Sequence, residues 1–144
     1  MITVKVEGLD EAIAELSKLG SVGEKYLNKG LDEVAALGMS EMRVNAPVVT
    51  NRLRSSIHYE TPNTTNYSYS DKAGASFNGK FSERPSKLQR LVGTNVHYAD
   101  DANERAKDAD KRHFFEKGVA KMEQVAIERL ESNYSKAINE TLGR

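Results

Sequence analysis

Apolar and polar positions change rhythm several times along this chain, and each rhythm predicts an element. Ile2, Val4 and Val6 alternate with Thr3, Lys5 and Glu7, a period of two that turns one face of a short strand toward a core. Gly8 breaks the pattern and Asp10 stands at an N-cap position, with Glu11 in the first turn. Ile13, Leu16 and Leu19 follow at helical spacing, and Gly20 with Gly23 ends or interrupts that helix. A longer helix is predicted over 22–45. Leu27, Leu31, Val34 and Met42 lie near one stripe, and small residues at Ala35, Ala36 and Gly38 let another backbone come close. Pro47 closes it, because the residue before a proline avoids helical angles.

Residues 52–61 alternate again and predict a strand with Leu53, Ser55, Ile57 and Tyr59 on one face. The stretch 61–86 then contains no Leu, Ile, Val or Met, although Tyr67, Tyr69, Phe77 and Phe81 are scattered through it. A core-free segment of this length is unusual inside a compact domain. Its aromatics argue against plain disorder, so either a long mobile loop or an extended hairpin is expected. Residues 87–92 and 96–99 predict two more strands, joined at Gly93-Thr94-Asn95. The run 100–110 sets Asp100, Asp101, Glu104, Asp108 and Asp110 against Arg105 and Lys107. It reads as a loop or a solvent-facing helix start. Over 112–142, Phe115, Val119, Met122, Ala126, Leu130, Tyr134 and Ile138 recur every three or four residues, as in an amphipathic helix that covers a sheet. Gly118 inside it costs about 1 kcal/mol relative to Ala, and marks a bend or a close backbone approach. The sum is one α+β domain over 1–144. A small, mostly antiparallel sheet is packed by N-terminal helices and a long C-terminal helix.

Composition locates the weak part of the core and removes several functions. Of the 144 residues only 38% are hydrophobic, and the tract 61–86 accounts for much of the deficit. The 21 basic and 21 acidic side chains cancel, so no global positive field draws the chain to phosphate. One local exception stands out. Between Arg43 and Tyr59 there is no acid, yet Arg43, Arg52 and Arg54 are present. Without Cys there is no disulfide, thiolate metal site or Cys nucleophile. No apolar run approaches the roughly 18 residues of a membrane span, and the start lacks a basic-then-apolar signal pattern. A soluble chain made in a cytoplasm, without membrane contact, is expected.

Candidate chemistry is sparse. His58, His97 and His113 lack metal-ligand spacing. The run from Asp100 to Glu104 lacks the alternating ligands, central Gly and terminal Glu of a calcium loop. Ser55-Ser56 falls in a predicted strand, not in a nucleophile elbow, and Gly74 and Gly79 lack the setting of a phosphate loop. No catalytic, metal-binding or cofactor-binding residue is expected. Basic residues beside aromatics can track a single strand, so the patch Arg43–Arg54 with the loop tyrosines leaves a DNA-associated binding module as an alternative.

One segment changes this picture. Asn45-Ala-Pro-Val-Val-Thr-Asn-Arg-Leu-Arg-Ser-Ser-Ile57 runs from a helix end through Pro47 toward a strand. It resembles the neck and tail components of tailed bacteriophages, the head–tail joining or tail-completion proteins. The opening from Val4 to Glu11, Val92-Gly-Thr-Asn-Val-His-Tyr-Ala99, and His113-Phe-Phe115 are similar to further stretches of that family, in the same order. Three departures are visible. Asn51 stands where the family has Gly, and Asn tolerates left-handed turn angles better than most residues. Asp100-Asp101-Ala-Asn-Glu104 replaces an aromatic-Gly stretch, and Glu116-Lys117-Gly118 stands where a Pro is usual.

The resemblance implies a structural virion protein at the head–tail junction, assembled in the host cytoplasm and free of cofactors. Its partners would be connector or stopper, tail-tube or terminator proteins, with incidental DNA in the lumen. A homo-oligomeric ring, six-fold when assembled, would need a heterologous interface. Arg43, Arg52 and Arg54 meeting Asp100, Asp101 and Glu104 would supply one. Tyr67, Tyr69, Phe77 and Phe81 would anchor the arm 61–86 on a partner. The alternative within the virion is a tail-terminator ring that caps the tube.

Overall fold

A computed structural model describes residues 1–7, 10–48 and 51–143, without the side chains of Asp10 and Ala12. The expected break at Gly8, the side chain of the expected Asp10 cap, and Val49 and Thr50 at the centre of the proline segment lie outside the described residues. The alternating start forms β1 (Ile2–Glu7), followed by helices α1 (Asp10–Ser17) and α2 (Gly20–Asn45). Gly20 adopts a φ of 64° between them, a left-handed angle that costs glycine little. Gly23 lies inside α2, where a Cβ would stand 1.7 Å from the carbonyl oxygen of Leu16. The rest of the chain forms α3 (Arg52–Ser56), β2 (His58–Glu60), β3 (Ser68–Ser70), β4 (Ser76–Asn78), β5 (Gln89–Thr94), α4 (Ala99–Arg105), a 3-10 turn (Ala109–Lys111) and α5 (Phe114–Thr141).

The main sheet is antiparallel in the order β1-β5-β2, with Val4 opposite Val92 and Tyr59 opposite Val92 on the other side. β5 is the central strand, which explains why residues 90–94 are all buried. Two strand predictions need correction here. The expected turn at Gly93-Thr94-Asn95 is not a hairpin, because β5 runs straight through Gly93 and Thr94. Gly93 is needed for crowding at a φ of 154°, since a Cβ there would lie 2.0 Å from the oxygen of Ile2. Residues 96–99 form no strand. They close a turn, Ala99 N–H to Val96 O at 3.1 Å, and enter α4.

The second correction concerns 52–61, where only His58–Glu60 is strand and Arg52–Ser56 is a helical turn. Ser55-Ser56 therefore sits on a helix. Leu53 and Ile57, four apart, satisfy a helical face as well as an alternating one. Asn51 decides the outcome. It takes φ 65°, the left-handed angle expected of it, and its carbonyl accepts from Ser55 N–H at 3.0 Å.

The tract 61–86 takes the hairpin alternative, β3 pairing antiparallel with β4 and Tyr69 opposite Phe77. The acidic run takes the helix alternative as α4.

α2 lies against the sheet and along α5, and α5 enters the same core through Phe114 and Met122. The small residues do what their pattern predicts. A Cβ on Gly38 would stand 2.4 Å from Cγ of Met122, and one on Gly118 would stand 2.2 Å from Cγ of Met42 and 3.0 Å from the carbonyl oxygen of Gly38. Each methionine thus lies across the other helix's glycine. Toward the other end of this helix pair, Leu16, Leu27, Leu31, Leu130 and Ala137 form a second apolar cluster.

Candidate functional site

The arm 61–86 is fastened to the domain by a buried polar latch on β2. Alternate strand residues share a face, so His58 and Glu60 lie side by side, both buried. His58 Nε2 is 2.6 Å from Glu60 Oε2, and Nδ1 is 2.7 Å from the Ser56 carbonyl oxygen. Both nitrogens face acceptors. Glu60 also accepts the Phe81 N–H at 2.9 Å and a close contact from the Arg84 guanidinium, which reaches on to Thr64 O at 2.8 Å. The His58 ring is stacked between Tyr67, at 3.7 Å, and Phe81, at 4.3 Å. Nothing in composition pointed to this latch. The one available signal was the spacing of His58 and Glu60 at i and i+2 in a predicted strand.

The arginines predicted as a patch have internal work. Arg43 donates from Nε to Ile57 O at 2.7 Å, and Tyr67 Oη donates to Ser55 O at 2.7 Å. Arg54 donates to Ala46 O at 3.1 Å, at the C-terminal end of α2, where a cation is favourable. The Arg52 guanidinium lies 3.7 Å from the Phe77 ring centre and 5.9 Å from that of Tyr98, a cation–π arrangement. Tyr69 and Phe81, expected on the partner surface, are buried in the domain, at 8% and 2% exposure. Asp100, Asp101 and Glu104 are exposed on α4, with Asp101 paired to Arg105 at 3.5 Å.

These pieces converge on one end of the molecule. Pro47, Val48 and Leu53 from the proline segment, and Tyr98 from the segment after β5, line an open cleft of about 710 Å³. Its other wall is α4 and the turn after it, from Asp101 to Lys111. Of the predicted charges, Arg52 lies beside the Tyr98 ring and Asp101 lines the cleft with it, so these two, far apart in sequence, come near one side chain. Sequence reasoning missed the cleft itself, because its described walls come from two segments that only the fold brings together.

The remaining electrostatics are peripheral. Burial, then Asp32, raises the Tyr59 phenol above its ordinary value, while Arg90 opposes them. Among the described residues no group of three or more His, Asp or Glu is placed to hold a metal, and no helix is long and apolar enough to cross a membrane.

Residues 10–103 match the family described as "Bacteriophage HK97-gp10, putative tail-component". The matched stretch includes α1 to β5, the arm, and the first part of α4. No curated protein and no solved structure matches the chain. With well over half its length matched, the chain belongs to the HK97-gp10-like tail-component family of bacteriophages.

Proposed function

We propose that this chain is a structural virion protein at the head–tail junction, where it joins or completes the tail by docking through the cleft end of the domain. The supporting observation is the convergence of two sequence segments on one exposed, apolar-lined cleft, bordered by Val48, Leu53 and Tyr98. Apolar residues in a pocket with a charged rim are the usual anchors of a protein interface. Asp101, Arg105, Lys107, Asp108 and Lys111 form that rim. The role needs shape and adhesion and no covalent chemistry. A ring matching the six-fold symmetry of a tail is the arrangement expected once partners are present. The arginines give a DNA-binding reading little support, since Arg43 and Arg54 donate to backbone carbonyls of their own chain.

Electron microscopy of the protein mixed with isolated tails and with heads that lack it tests the proposal. Bound protein at the junction and recovery of joined particles are expected. Mature particles whose collar contains no density for this chain would refute it. Tyr98→Ala with Arg105→Glu, introduced together at the cleft, should reduce joining while leaving the melting temperature close to wild type.

A further inference from the structure

We propose that copies of this chain pack head to tail, with the exposed Val44–Val48 edge of one copy seated in a glutamate-rimmed groove between α1 and α5 of the next. This inference rests on the assembly reading above and names the surfaces that would build the assembly. Among the described residues five large apolar side chains are strongly exposed: Met1, Val44, Val48, Ile127 and Leu142. Met1 and Leu142 stand near the chain ends. The other three fall into two patches of opposite electrostatic character.

The first patch is an apolar groove of about 290 Å³, floored by Ile127, Leu130 and Tyr134 and rimmed by Glu11, Glu15 and Glu131. The only cation paired with that rim among the described residues is Lys18, on Glu15 at 3.1 Å. The second patch is the C-terminal end of α2. Val44 is 65% and Val48 45% exposed. Arg54 donates to Ala46 O at 3.1 Å and Lys111 to Val44 O at 3.3 Å, so two cations flank the exposed valines. Asp101 and Asp108 line the cleft with Val48 and are engaged locally, with Arg105 and with the Asp110 N–H, while Glu41, one turn before Val44, accepts from the Asn45 amide at 3.4 Å.

The two patches cannot meet within one subunit. Leu130 packs at the level of Gly30 on α2, and Val44 lies about 20 Å further along at 1.5 Å per residue. Different surfaces at opposite ends of one helix pair make a heterologous contact, the kind that closes rings. The apolar fit would hold the contact, and the opposed charges would set its register and speed.

The absence of native cysteine gives a direct test. Val44→Cys and Ile127→Cys each place one thiol at an exposed position. An oxidised mixture of the two full-length variants, with and without isolated tails, should yield a cross-linked pair containing one of each. Either variant alone should yield little or none. Glu131→Lys in the Ile127→Cys chain should abolish the cross-link, and Lys111→Glu in its Val44→Cys partner should restore it. Unchanged melting temperatures establish that each variant is folded. Absence of the mixed cross-link in both conditions, or equal cross-linking of each variant with itself, would overturn the pairing. If joining of heads to tails persists in that case, the pairing falls and the junction role stands.

Discussion

Along the α2–α5 seam, contact is made by leaving atoms out. Gly38 and Gly118 vacate the space that Met122 and Met42 fill, and at that crossing the contact is apolar. The arm 61–86 is attached by the contrary means. It has almost no aliphatic residues, and it is held by a carboxylate with several donors, a stacked histidine, and guanidinium groups on rings and carbonyls. A seam of the first kind fails when something is added. A latch of the second kind fails when one partner is removed, since the others are then left buried without a mate.

The largest effect is expected from adding bulk to the seam. Gly118→Leu should destabilise the domain by about 3 kcal/mol or more, read as a lower urea midpoint. Met42→Ala in the same chain should recover part of that loss, because the two sites share one space. If Gly118→Leu unfolds at the wild-type midpoint, the seam is not close-packed.

Removing charge from the latch should come next. Glu60→Gln keeps the shape but weakens the contacts to His58 and Arg84, at about 2 kcal/mol. The loss should be local. Hydrogen exchange should speed up across 61–86 while α2 and α5 remain protected, and uniform exchange through the chain would argue against a separable arm. Arg52→Ala removes a cation from two rings and should cost about 1 kcal/mol, seen in thermal melts.

The smallest effect belongs to the exposed Lys25–Glu140 pair, with its oxygens 3.0 Å from Nζ. The bond raises Lys25 above its ordinary value and lowers Glu140 below the usual carboxylate range. Glu140's share of stability is lost as pH falls through that lowered value. Lys25's share is lost as pH rises through its raised one. Lys25→Ala should therefore leave the melting temperature at neutral pH almost unchanged, since exposed pairs contribute little.

Removing 63–84 would take Tyr69 and Phe81 out of the core, so a cut that spares the fold must stay within the tip, 71–75.

Helices α1, α2 and α5 and strand β1 could be read from the sequence because their periodic stripes leave one solution. Short segments could not. Leu53 and Ile57 suit two periods, and the choice fell to the backbone angle of Asn51. Gly93 carries a turn composition, yet its place is set by the crowding of a neighbouring strand. The candidate site divides the same way. Arg43, Arg52, Arg54 and the acids of α4 were identified as charged groups. Their carbonyl, ring and carboxylate partners are long-range, and only the fold supplies them. Tyr69 and Phe81 were misassigned to the surface because an aromatic in a polar tract carries no mark of which way the tract folds.

The paired thioethers of Met42 and Met122 also bear on chemical ageing. Conversion of either to a sulfoxide adds an oxygen that needs a hydrogen-bond donor, in a place where the opposing helix offers only a glycine and hydrocarbon. Peroxide footprinting should mark the exposed Met1 long before either of them, and the lag would time how often the two long helices breathe apart.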